Sequence, residues 1–378
     1  MLNQMRKPLL FILPVIILII IFLIFFIDAN KDREKNEGIN YVRAKIVKVI
    51  DSRLKEEEDI PDAYVGSQKV KVRILNGKFK GLELIITNSR LHGDLVYDVI
   101  AEEGMEVVLA IDEKEGKLHS ALIDNYVRDR VIYFLIFLFI LALIGVGRVK
   151  GIMAFLSLIT TGFLIVYFMM PLIFRGYSPI LLIIIIVSVI TCITLLSIGG
   201  FNKKSSAAII GTVIGVIIAG VISLISGRLA HLTGITGEAS EQLIYIMGDF
   251  PINIKGIMFA GIIISSLGAV MDVAMSIAAT IFEIHNQVPG LSRTELIKSG
   301  INVGKDIVGT MANTLILAFT GGSLSMMLLL MAYNVPYFRA INLNSVSTEI
   351  IQGLAGSIGL ILTVPITSVV AVFLIKQK

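Results

Sequence analysis

Eight long apolar runs, separated by short polar connectors, set the pattern of this chain. They occupy 9–27, 131–147, 152–170, 179–198, 205–226, 256–282, 307–333 and 350–375. A helix needs about 20 apolar residues to cross the hydrocarbon core of a bilayer. The runs match that length, whereas a helix on the surface of a soluble domain keeps one polar face. The pattern predicts a polytopic α-helical membrane protein with eight transmembrane helices. The first run follows Arg6 and Lys7 and reads as an uncleaved signal anchor, with cleavage after Ala29 as the alternative.

One sizeable hydrophilic region, 28–130, interrupts the apolar pattern and alternates with the period of β-structure. Segments 41–50, 69–75, 82–87, 105–111 and 118–123 read as five strands. Asn76-Gly77 signals a hairpin, because both residues tolerate positive φ. The acidic stretch 55–62 reads as an exposed loop. Five strands in so short a stretch predict a small, closed, OB-type β-barrel-like domain. The expected organisation is therefore an anchor over 1–30, an extracytoplasmic β-domain over 31–128 and a seven-helix membrane domain over 129–378.

Composition sharpens this picture. The chain has 378 residues, 55% of them hydrophobic, and a mean hydropathy of +0.86. Trp is absent, so an aromatic belt falls to Tyr and Phe. Cys192 is the single cysteine, which excludes an intramolecular disulfide and a cysteine metal cluster. The net charge of +4 comes from basic residues scattered through short loops, which does not suggest nucleic-acid binding. Alternate connectors carry unequal positive charge. One set holds eleven basic residues (Arg6, Lys7, Arg148, Lys150, Lys203, Lys204, Arg293, Lys298, Lys305, Lys376 and Lys378), the other four (Arg175, Arg228, Lys255 and Arg339). The positive-inside rule then places both termini in the cytoplasm and the β-domain outside, in a cell membrane.

Two helices carry ridges of small residues. Ala207, Gly211, Gly215, Ala219, Ser223 and Gly227 recur every four positions, and Gly353, Gly356, Gly359 and Thr363 line a second face. Such ridges let helix backbones approach closely. Pro365 follows as a candidate kink. The connector before the seventh run carries a capping box, Ser292 with Glu295, and a staple of Leu291 with Leu296. It predicts a cytoplasmic amphipathic helix over 292–305. The loop between Arg228 and Lys255 includes an apolar segment, 243–247, that suits an interfacial helix or a re-entrant segment.

Polar residues inside apolar runs are the candidates for chemistry. Asp272 lies mid-run with Ser276 on its face, and Asp306, Thr310 and Asn313 form a stripe on the following run. A carboxylate at the bilayer centre costs at least about 2.5–3.5 kcal/mol and marks a functional site by default. Asp272 lies eleven residues from Glu283, roughly 16 Å along a helix. That depth brings it level with Asn313 on an antiparallel neighbour. Two readings follow: a proton or cation site shaped by Asn313, Thr310 and Ser276, or a protonated Asp272 acting as interhelical glue. Asp306, near the start of its run, suits either an ion site or a helix-start position. Gly321-Gly322-Ser323 offers a place where the helix unwinds. H-E-x-x-H, G-x-S-x-G and Walker A motifs are missing, so no enzyme activity, metal or cofactor is expected.

The segments LGAVMDVAMSI (267–277) and GKDIVGTMANTL (304–315), after an anchor and a small β-domain, resemble the YibE/F family of bacterial membrane proteins. The resemblance implies this architecture and supplies no substrate. The function expected from the sequence is a secondary transporter or permease, coupled to a proton or cation through Asp272. The alternative is a non-transporting scaffold whose β-domain recruits an envelope partner; the partners expected are the lipid bilayer and either such an envelope protein or further copies of the chain.

Overall fold

The computed structural model describes residues 39–57, 60–61, 63–92, 98–114, 116–246 and 251–375. The anchor expected over 9–27 lies outside the described residues. The rest falls into two compact units that divide between Ala142 and Leu143.

The N-terminal unit is a five-stranded antiparallel half-barrel. Its strands are β1 (Ile39–Glu56), β2 (Tyr64–Ile74), β3 (Glu83–His92), β4 (Glu106–Lys114) and β5 (Lys117–Tyr126), in the order β3-β2-β1-β4-β5. All five expected strands form, and each is longer than expected. Alternation sends Ala44, Ile46, Val70, Val72, Leu109 and Ile111 inward to one core. One expectation needs correction. No hydrogen-bonded ladder joins β3 to β5 among the described residues, so the sheet is open where a closed barrel was expected. The hairpin signalled by Asn76-Gly77 forms between β2 and β3. Gly77 takes φ +75° within a longer loop, and the Asn76 side chain turns back to accept the Arg43 backbone N–H at 2.7 Å. The acidic stretch begins within β1, where Lys55 and Glu56 pair with Val65 and Tyr64.

A strandless segment occupies the gap between the edges. Its backbone groups need partners that no ladder supplies, and three side chains provide them. Gln68 on β2 bonds both the N–H and the C=O of Ala101, at 2.8 and 3.1 Å. Asn88 on β3 donates to the Val99 carbonyl at 2.7 Å, and the Tyr126 hydroxyl at the end of β5 accepts the Ile100 N–H at 3.0 Å. Side chains thus tie the segment to both edge strands.

The C-terminal unit is helical. Following the chain, the helices are α1 (Asp129–Phe163), a π-helical turn (Leu164–Met169), α2 (Met170–Phe174), α3 (Pro179–Gly199), α4 (Lys203–Leu229), α5 (Glu238–Ile246), α6 (Ile254–Gln287), α7 (Arg293–Gly322), α8 (Leu324–Ala332), α9 (Tyr337–Ile341) and α10 (Asn344–Leu374). Five helical runs are long and apolar enough to cross a membrane, or six if α7 and α8 count as one bent span. The expected count was eight. The difference beyond the undescribed anchor lies at 129–174, one run of 46 residues. At 1.5 Å per residue that is about 69 Å, more than twice the hydrocarbon core. The run is broken at Arg148, which has φ 48° and ψ −126°. Gly151 then packs against the Leu143 carbonyl with no space for a side chain, so the chain bends sharply between the two expected spans.

The two predicted small-residue ridges are partners. All six residues of the α4 ridge are buried. A Cβ on Gly211 or Gly215 would overlap the hydroxyl of Thr367 or Thr363 on α10, and one on Gly359 would come within 2.6 Å of the Ala219 Cβ. Helix α6 packs beside this seam, with Ile262, Ile263, Val270 and Ile277 fully or almost fully buried. A Cβ on Gly356 would lie 3.0 Å from a Leu315 methyl, but one on Gly353 would make only ordinary contact with Phe319 at 3.5 Å. Gly353 is therefore not part of the tight seam. Helix α10 passes through Pro365 without interruption.

Overpacking a close seam costs about 1–3 kcal/mol. Gly215→Ala should lower the thermal-melt stability of the detergent-solubilised protein by that order. Gly261→Ala on α6, where a new Cβ meets nothing within 4 Å, should be neutral or slightly stabilising.

Candidate functional site

The sharpest local signal at the start of α7 is the capping box. Ser292 accepts the Glu295 N–H at 3.3 Å, and the Glu295 carboxylate accepts the Ser292 N–H at 2.8 Å. From this start the helix runs unbroken to Gly322. The amphipathic segment 292–305 and the following span are one helix, so Asp306 is an interior position and not a helix start. Leu296, Gly300, Gly304 and Leu315 form the buried stripe of α7. Gly300 and Gly304 meet Ile281 and Ile277 of α6, and Ser368 and Val364 of α10.

That packing decides the fate of the polar stripe. Ile277 faces α7, and Asp272 lies five residues earlier, roughly 140° around the helix. Asn313 likewise sits two residues from buried Leu315, on the far side of α7. Asp272 and Asn313 make no hydrogen bond to each other among the described residues, and both are exposed. The expected pairing is corrected by helical phase, which depth alone does not fix. Asp306, Thr310 and Ser276 are also exposed. The Thr310 hydroxyl donates to its own helix, to Ile307 O at 2.9 Å.

Asp272 instead opens onto a cavity of about 340 Å³ between α1, the π-helical turn, α3 and α6. Ser157, Thr161, Thr194 and Gly268 contribute to its wall. Ser157 is 4% exposed, and its hydroxyl has no hydrogen-bond partner among the described residues. Thr161 returns its hydroxyl to Ser157 O at 2.9 Å. Ile165 of the π-helical turn borders the same space, and such turns recur at functional sites. Sequence reading missed Ser157, Thr161 and Thr194 because they lie on helices whose rotation only packing sets.

A second carboxylate was missed for a different reason. Helix α10 starts at Asn344, several residues before its predicted apolar run, which brings Glu349 into the helix. It lines a cavity of about 460 Å³ beside the junction of α7 and α8. The two helices bend by 57° there, at the Gly321-Gly322-Ser323 stretch where unwinding was expected. A third cavity, of about 520 Å³, is basic, with Arg228, His231 and Lys255 in its wall. It holds none of the predicted site residues.

A half-barrel followed by a bundle of long apolar helices, with a carboxylate opening onto an interhelical cavity, defines a multi-pass membrane protein. Residues 135–377 match the YibE/F-like protein family, and residues 40–126 match the YibE/F family N-terminal domain. The chain belongs to the YibE/F-like family. No curated protein and no solved structure matches it.

The cavity makes Asp272 accessible from within the bundle. In a Cys192→Ser background, a cysteine replacing Asp272 should react with a small thiol reagent at least about tenfold faster than one replacing fully buried Ile262, since thiols enclosed in apolar surroundings are inert.

Proposed function

We propose that this protein is a secondary transporter or permease, coupled to a proton or cation through Asp272. The observation that carries the reading is the opening of a mid-helix carboxylate onto a cavity with an unpartnered buried hydroxyl, Ser157. A carboxylate kept only as glue would face a polar partner on the next helix. Asp272 faces space instead. Ser157, Thr161 and Thr194 supply oxygen atoms around a cation or a proton-carrying water. Asn313, Thr310 and Asp306 lie on the outer face of α7 and stand outside this site. The chain has no nucleotide-binding motif, so a gradient or a partner supplies the energy.

The break at Arg148 bears on orientation. If the chain crosses the membrane before and after it, seven crossings follow the β-domain. An odd number puts the half-barrel and the C-terminus on opposite sides, and the charge bias favours the half-barrel outside. In whole cells, a cysteine replacing Lys150 in the Cys192→Ser background should escape an impermeant maleimide until the membrane is permeabilised. Labelling of intact cells would reverse the orientation.

An untargeted comparison of metabolites and metals in cells with and without the protein should identify the solute. Reconstituted protein should move that solute down an imposed H⁺ or Na⁺ gradient, and Asp272→Asn should fall to the rate of empty liposomes. A variant that folds normally and keeps full flux would refute the coupling role.

One observation favours a scaffold as the second reading. Tyr41, 64% exposed, lies in register with Ala110 and then Leu122, 37% exposed, along an uncovered row of the sheet. That row suits an envelope partner or a second copy. Deletion of 28–130 separates the readings, because a transporter keeps flux without the half-barrel and a scaffold loses its entire phenotype.

A further inference from the structure

The cavity beside the α7–α8 junction is separate from the Asp272 site. Its wall is mostly apolar, with Ile316, Phe319, Met326, Met327 and Leu330 contributed by the two helices. Glu349 is its only charged residue, and no Lys or Arg lines it. Ser323, at the bend, shares the wall with Glu349, and Thr320 lies one turn earlier. No ion pair involves Glu349 among the described residues. A carboxylate in this setting lacks a counter-ion, and a bound cation would provide one.

The walls select the kind of cation. The wall offers one carboxylate and four hydroxyls, those of Thr236, Thr320, Ser323 and Ser345, a single charged ligand in a mostly apolar surface, whereas a bare divalent ion is held in a cage rich in carboxylate and carbonyl oxygens. No cluster of three His, Cys, Asp or Glu side chains able to hold a metal occurs among the described residues. A volume of about 460 Å³ falls within the range of small-molecule pockets. Flexible methionines adapt to varied apolar shapes, and an aromatic side chain such as Phe319 in the wall can stabilise positive charge. We propose that this cavity binds an amphiphilic organic cation, with Glu349 as its counter-charge and the Phe319–methionine wall holding its apolar body. The proposal goes beyond the coupling role of Asp272 and does not require transport.

The test is equilibrium binding of radiolabelled tetraphenylphosphonium to the full-length protein in phosphatidylcholine nanodiscs. Wild type should bind it saturably, and neutral triphenylphosphine oxide should compete poorly. Glu349→Gln should weaken binding at least about tenfold, the scale of a lost interaction with a charged group, while Glu349→Asp should retain most of it. Gly353→Leu tests the space itself. Gly353 lines the cavity, and a Cβ there makes only ordinary contact with Phe319. The larger side chain should fill the cavity and reduce binding by about the same factor with the carboxylate intact. Each variant is compared after monodisperse elution with an unchanged melting profile. Equal affinity in wild type and Glu349→Gln, or equal competition by the neutral compound, would overturn the proposal. No gradient enters this assay and Asp272 stays intact, so its outcome is independent of the flux experiment.

Discussion

The close approach of α4 and α10 is the contact on which the helical unit depends. In hydrocarbon, burying apolar surface between helices gains little, because lipid is as apolar as the side chains it replaces. Association then rests on backbone proximity and dispersion. Gly211 and Gly215 accept Thr367 and Thr363 in the space where side chains would stand, and Gly359 meets Ala219. Helix α6 packs against this pair, and α7 reaches it through Gly300 and Gly304. Each contact sets the rotation of a helix about its axis. Those rotations decide which polar residues meet and which face open space.

The same solvent imposes a second rule, that polar groups find partners within the protein. Most hydroxyls in the spans obey it locally. Thr191, Thr212, Thr363 and Ser368 each donate to the carbonyl four residues earlier. They need nothing from a neighbouring helix, which makes a stripe of Ser and Thr a weak indicator of a site. Carboxylates have no such local remedy. Asp272 and Glu349 are accordingly where the bundle leaves space, and both cavities set one carboxylate and a few hydroxyls in a mostly apolar wall. The half-barrel follows a related rule in another form. Its open gap is filled by a segment whose backbone bonds to Gln68, Asn88 and Tyr126.

Much of this was legible along the chain. Long apolar runs mark helices because a bilayer demands a nearly fixed length. Alternation marks the five strands because successive side chains point to opposite faces. The capping box and the two small-residue ridges were readable because each is a local pattern of a few positions. That the ridges face each other was not written in either one. The Asp272–Asn313 pair failed for a similar reason: rise per residue gives depth from sequence, but azimuth depends on which face a helix buries. Glu349 escaped notice because its helix begins before the apolar run that announced it.

Residue order thus determined the membrane-spanning class, the small β-unit ahead of it, the packing ridges and the polar residues that needed explanation. These follow from local periodicity and from the free energy of placing each side chain in lipid or water. Tertiary structure alone decided that the sheet stays open, that Arg148 breaks a 46-residue run, and that Asp272 and Glu349 open onto different cavities. Those outcomes depend on contacts between residues far apart in the chain, and no local pattern carries the relative rotation of two helices.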